Sequence, residues 1–169
     1  MLAQPLLFKL AGALALLGGG AYAAYTESAR DRARLYRMDC LITLVKQMRT
    51  KIERYLTPVG EILRQCDAEL LRGCLTGVDG CPNERPHDVD ELVFFLRRGA
   101  YFEDGKDALC ALAARLGRSY REDSVRECEE CIRELEAVRD TLASELPKKR
   151  KTHAVMGLCA AAAAVIVIM

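Results

Sequence analysis

The sequence predicts an all-α protein: a cytosolic bundle of about five helices flanked by N- and C-terminal membrane segments. Three observations point there. Apolar residues recur at spacings of three and four through most of the middle of the chain, the mark of amphipathic helices. Period-two alternation, which a half-buried strand would show, is absent. Charge is segregated. Hydrophobic residues make up 51% and charged residues 29% of the 169, yet none is charged from Leu10 to Thr26 or from Ala154 to Met169. Every Asp and Glu lies between Glu27 and Glu145. The chain therefore divides into a transmembrane segment, 1–26, a cytosolic domain, 27–151, and a second transmembrane segment, 152–169.

The first segment has 17 uncharged residues, Leu10 to Thr26. As a helix they span roughly 25 Å, against a bilayer core of about 30 Å. Lys9 can snorkel outward, which lets Leu6, Leu7 and Phe8 extend the apolar length. Gly18, Gly19 and Gly20 suit a membrane helix, where small residues allow close packing. Arg30, Arg32, Arg34 and Arg37 follow this segment, and Lys148, Lys149, Arg150 and Lys151 precede the second one. Basic flanks stay on the cytosolic side, so both clusters place the middle region in the cytosol. A competing reading takes Ala21-Tyr22-Ala23 as a signal-peptidase site, which would export the domain. A single charge before the apolar stretch, Lys9, and the arginines just after it argue against export.

The helices of the middle region follow in order. Leu41, Leu44, Val45, Met48, Ile52, Tyr55 and Leu56 form one apolar face. Val59, Ile62, Leu63, Cys66 and Leu70 repeat the pattern, with Thr57 expected as N-cap, Pro58 at the first helical position and Glu61 assisting the cap. From Gly73 to Pro86 the glycines and prolines predict a loop. Asp88 can cap a third helix whose apolar face is Val89, Leu92, Phe95 and Leu96 and which Gly99 ends. A fourth runs from about Asp104 to Leu116, with Leu109, Leu112, Ala113 and Leu116 inward and Gly117 as its stop. A fifth starts near Ser119 or Arg121. Its apolar positions are Val125, Cys128, Ile132, Leu135, Val138 or Arg139, Leu142 and Leu146, spacing that suits a bundle. The last segment, Ala154 to Met169, has 16 uncharged residues and is marginal for a full crossing.

Composition and motifs exclude several functions. A net charge of +1 argues against nucleic acid as a partner. With two histidines, His87 in the loop and His153 beside the last segment, the sequence argues against a histidine-based catalytic site, and no nucleophile elbow, phosphate-cradling glycine loop or HExxH is present. The expectation is a protein that is not an enzyme, with no cofactor and no small-molecule substrate. Cys128-Glu-Glu-Cys131 is the sharpest chemical candidate, because a CxxC can be a redox pair or half a zinc site. Cys74 and Cys81 are the further ligands a metal reading would take, with Cys66 also in reach of it, although their spacing fits no standard pattern. Cys128 lies on the apolar stripe with Val125 and Ile132, so a small core residue explains it. Eight cysteines imply no disulfides in a cytosolic domain. Arg133, Glu134, Glu136 and Arg139 read as a solvated face with helical ion pairs.

The segment Leu109-Cys-Ala-Leu-Ala-Ala-Arg-Leu-Gly-Arg-Ser-Tyr-Arg-Glu-Asp123 precedes a long charged helix, Lys148-Lys-Arg-Lys151, Gly157-Leu158 and an apolar tail. This order resembles the stage III sporulation protein AB family of endospore-forming bacteria. Thr57-Pro58-Val59-Gly60-Glu61 is similar to that family's start of its second helix. The resemblance covers nearly the whole chain in layout and Leu109 to Met169 in motif. Tyr120 and Ser124 depart from it, standing where the family usually has Asp and Gln, and the cysteine-rich loop is unusual. It implies a subunit of a secretion-like complex in the mother-cell membrane around the forespore. The soluble domain would be similar to type II secretion platform domains. Its partners would be the complex's cytosolic ATPase and other membrane subunits. On that footing Arg118, Arg121, Glu122 and Asp123 are the candidate docking surface. Helix capping explains the same turn without a partner.

Overall fold

In the computed structural model the backbone is described for residues 3–78, 85–116 and 121–168. Side-chain surroundings are described for 25–78, 85–116 and 121–147, and singly for Gly12, Gly19, Tyr22 and Thr152. The described residues form six helices: α1 (Ala3–Tyr55), α2 (Val59–Arg64), α3 (Ala68–Cys74), α4 (Val89–Arg97), α5 (Lys106–Arg115) and α6 (Arg121–Ile168). They contain no strand beyond an isolated antiparallel bridge between Val78 and Gly99, so the protein is all-α. It divides into two compact units, one of Met1–Arg32 with Ala143–Met169 and one of Ala33–Leu142.

The unit 33–142 has one core. Met38, Leu41, Leu44, Val45, Met48 and Ile52 of α1 are buried in it, as are Cys128, Cys131, Ile132 and Leu135 of α6. The two helices run antiparallel, because ion pairs join Asp39 to Arg139 at 2.8 Å, Lys46 to Glu136 at 2.6 Å and Arg49 to Glu129 at 2.8 Å. Each of these exposed pairs contributes about 0–1 kcal/mol. Burial of each large aliphatic side chain contributes about 1.5–3 kcal/mol. The core therefore holds the pair together and the charges fix its register. Glu136 and Arg139 thus bridge to a neighbouring helix, and Arg139 also pairs with Asp140 on its own helix at 3.1 Å.

Several boundaries differ from expectation. Tyr55 and Leu56 are 70% and 67% exposed, because α1 stops at Tyr55 and Leu56 takes a left-handed backbone with φ of 53°. The stretch read as one second helix is two. Asp67 breaks it, its carboxylate accepting from the Glu69 N–H at 2.9 Å to cap α3. Pro58, not Thr57, is the N-cap of α2, and its carbonyl accepts from Glu61 and Ile62 at 3.0 and 3.1 Å. The Glu61 carboxylate pairs with Arg64 and Gln65 instead of capping. The loop begins later than expected, since Gly73 and Cys74 are buried in α3.

The Asp88 cap is present: its carboxylate accepts from the Glu91 N–H at 2.7 Å, while Glu91 accepts from the His87 N–H at 2.6 Å. Gly99 lies just past the end of α4, whose C-cap is Arg98. On α5, Leu109, Leu112 and Ala113 are buried, as is Leu116 at its end. Gly105 is the N-cap of α5 with φ of 77°. A Cβ there would stand 2.6 Å from Leu135 Cδ2, so glycine is needed both for the backbone and for the approach of α6. Gly117 lies outside the described residues.

The other unit comprises the first part of α1 and the last part of α6. The latter passes through Pro147 as helix, although an interior proline removes a backbone donor. Tyr22 and Tyr25 on α1 are 71% and 67% exposed. Among the described residues no helix is long and apolar enough to cross a membrane. The side chains of most of Leu10–Tyr25 and of all of Ala154–Met169 lie outside those residues.

Candidate functional site

The sequence offered three sets of residues: two basic clusters, four cysteines and a charged turn. The structure treats the members of each set differently.

Arg34 and Arg37 are inside the fold. Arg34 forks onto Asp104, with Nε to Oδ2 at 2.8 Å and Nη2 to Oδ1 at 2.6 Å. Arg37 is 2% exposed, donates to the carbonyls of Cys74 (3.3 Å) and Tyr101, and leaves Nη2 without a hydrogen-bond partner. Burial lowers its proton affinity, while nearby Asp104 works the other way. These two arginines tie α1 to the end of α3 and to the turn before α5, a structural role that the charge pattern did not announce. Arg30 and Arg32 are exposed, and Arg32 donates to the Ser28 carbonyl at 3.2 Å. Lys148, Lys149, Arg150 and Lys151 belong to α6, and their side chains lie outside the described residues.

Cys74 is fully buried at the end of α3, not on a flexible loop. The thiols near it are those of Cys40 and Cys66, whereas the thiol near Cys131 is that of Cys128. No group of three or more His, Cys, Asp or Glu that could hold a metal occurs among the described residues. Cys74, Cys128 and Cys131 are therefore not assembled, and Cys81 lies outside the described residues. Burial pushes the thiols up: Cys128 to about 11 and Cys131 to about 12, with Cys74 also strongly raised. A reactive or metal-binding thiol needs the opposite shift. Cys128 and Cys131 sit in the core at 0% and 3% exposure and act as small apolar side chains.

The charged turn is split. Arg118 lies outside the described residues. Arg121 reaches across to accept a structural duty, donating from Nη2 to the Glu53 carbonyl at the end of α1. A cation at a helix C-terminus satisfies an orphan carbonyl and complements the helix dipole. Asp123 pairs with Arg126 at 2.9 Å, and Glu122 is exposed. No family model, curated protein or solved structure matches the chain.

Beside Arg121 lies a feature that sequence reading missed, an open groove of about 390 Å³. Ile52, Val59, Val89, Ala113 and Leu116 give it apolar walls, and Ser124, which is buried, also lines it. Leu56, Asp88, Asp90 and Arg121 stand around it. Three separated segments build it: the α1–α2 junction, the start of α4, and the ends of α5 and α6 that flank the turn. No periodicity signals such convergence. The nearest cue in the sequence is the Thr57-Pro58 junction, which ends one helix and starts another within three residues.

Proposed function

We propose that this chain is a non-enzymatic assembly subunit. It is held at the mother-cell membrane around the forespore by its end segments, 1–26 and 152–169, and couples a cytosolic ATPase to the membrane components of a sporulation-specific, secretion-like complex. The unit 33–142 would present a fixed surface to the motor, and Arg121, Glu122 and Asp123 border that surface. The family resemblance of Leu109–Met169 supplies the complex and its ATPase. The observation that carries the membrane part is the order along α1: an uncharged stretch that carries exposed Tyr22 and Tyr25 near its end, then exposed Arg30 and Arg32. Tyrosines favour the headgroup level and arginines the cytosolic side beyond it.

Two measurements test this reading. The chain should stay with the membrane fraction after alkaline carbonate washing, and release into the wash would remove the anchors. The tagged chain, drawn from sporulating cells that hold every subunit, should bring down an ATPase. Copurification of membrane subunits without one would remove the coupling role. For topology, Cys110 is a better reporter than Cys74, since Cys110 is partly exposed and Cys74 is fully buried.

A further inference from the structure

We infer that the groove beside Arg121 is a docking site for a partner segment that carries a bulky apolar side chain and, within one helical turn of it, a lysine or arginine. The inference deepens the assembly reading and rests on it. Three observations lead to the occupant.

The first is size and lining. About 390 Å³ is at the lower end of pockets that take a ligand and fits an apolar anchor, and the walls are aliphatic. The second is Leu56. It stands at the lip with 67% of its surface exposed and its backbone at φ of 53°, a conformation that disfavours a branched apolar residue. Glycine or asparagine would end α1 there more favourably. Strain kept at an exposed apolar position points to a use for the side chain.

The third is charge. On one lip, Asp88 uses Oδ1 to cap α4, and Asp90 makes no hydrogen bond or ion pair among the described residues. Arg121 also lines the groove, and its guanidinium donates to the Glu53 carbonyl. Two carboxylates, Asp88 and Asp90, stand at the groove against one guanidinium, Arg121, so its net formal charge is -1, and a cation on the occupant placed beside Asp90 complements it. Phe94 continues the surface. It lies one turn beyond Asp90 on the same face of α4 and is 58% exposed, so the acidic lip has apolar surface on both sides. An amphipathic segment with a basic residue between two apolar ones matches this order.

The test uses the full chain in lipid nanodiscs and a phage-displayed library of random dodecapeptides, with empty discs removing lipid binders. Recovered peptides are then measured by fluorescence anisotropy. The expected sequences share a Leu, Ile, Met or Phe and a Lys or Arg within four positions. Asp90→Lys should weaken their binding about tenfold by reversing the charge they meet. Leu56→Gly should weaken it by a similar factor while leaving the thermal midpoint of the protein equal or higher, since glycine relieves the backbone. Recovery of acidic peptides, recovery of none above the empty-disc background, or indifference to both variants would overturn the inference. So would a dimer by analytical ultracentrifugation that Leu56→Gly dissociates, because the occupant would then be a second copy. Peptides that bind as expected, from a chain that brings down no ATPase, would end the assembly reading and leave the groove standing. Failure of the peptides with the ATPase still bound would do the reverse.

Discussion

Gly105→Ala should destabilise the unit 33–142 by about 2–4 kcal/mol. Two terms make up the figure. Gly105 holds φ of 77°, and an L-residue in that region costs about 1 kcal/mol. The new Cβ would stand 2.6 Å from Leu135 Cδ2 and 3.6 Å from Met38 Cε, both fully buried, and overpacking of this kind costs about 1–3 kcal/mol. The readout has to report on this unit alone, because helix content reports on both. Pulsed alkylation of Cys131 across a urea series does so, with the labelled peptide resolved by mass spectrometry. Gly105→Asn separates the terms, since asparagine tolerates the left-handed backbone better and still carries the Cβ. It should lose somewhat less than alanine. A loss under about 1 kcal/mol for Gly105→Ala would refute the argument, showing that Leu135 moves aside and that α5 starts as well without the left-handed cap.

Other outcomes follow from the buried polar and thiol groups. Raised thiols bind their protons more tightly folded than unfolded, so their contribution is complete below about pH 9 and is lost as pH rises toward the folded values. Cys128, raised from 9.0 to about 11, should by itself cost about 3 kcal/mol of stability across that interval, and Cys128→Ala should flatten the alkaline limb of a urea-midpoint series. A limb of unchanged slope would show that the thiol is hydrated. Among Cys40, Cys66, Cys74, Cys110, Cys128 and Cys131, native alkylation at pH 8 should modify Cys110 first, as the others are buried. Early modification of Cys131 would contradict its place in the core. Asp104→Asn should lower stability by about 1–3 kcal/mol, because it removes the carboxylate onto which part-buried Arg34 forks and which lies near buried Arg37. In an Arg34→Met background the same change should cost clearly less, and equal costs in both backgrounds would show that the pair is uncoupled.

The helical class and most of the core were legible because they depend on spacing. Leu41, Leu44, Val45, Met48, Ile52, Leu92, Leu96, Leu109, Leu112 and Leu135 repeat at three and four, and all are buried. The Asp88 cap was legible because its chemistry is local. What failed was of another kind. Asp67 sits within an apolar repeat, and repeat counting passes over a cap that interrupts it. Tyr55 and Leu56 keep the helical period of α1, but the chain turns at Leu56, and period carries no information about where a backbone leaves the helix. Arg34 and Arg37 were counted as flank charges. Their carboxylate and carbonyl partners come from α3 and the turn before α5, 37 to 70 residues away in sequence.

The charged turn shows why the structural role of Arg121 was not legible in the sequence. Read alone, Arg121, Glu122 and Asp123 are a helix start with a displaced cation, since acids and not arginines suit an N-terminus. The fold explains the arginine: it serves the opposite end of another helix, α1, where the Glu53 carbonyl accepts from it. That contact joins the start of α6 to the junction where Leu56 leaves α1, and the groove opens between the two. Arg121→Ala would then act twice, freeing the Glu53 carbonyl and loosening the groove wall. A loss of partner binding in that variant cannot by itself separate a contact from a support. Asp90→Lys and Leu56→Gly change the lip while leaving the Arg121 bridge to Glu53 intact. Binding that fails in these two, with Arg121 in place, assigns the recognition to the groove, and the arginine is then its scaffold.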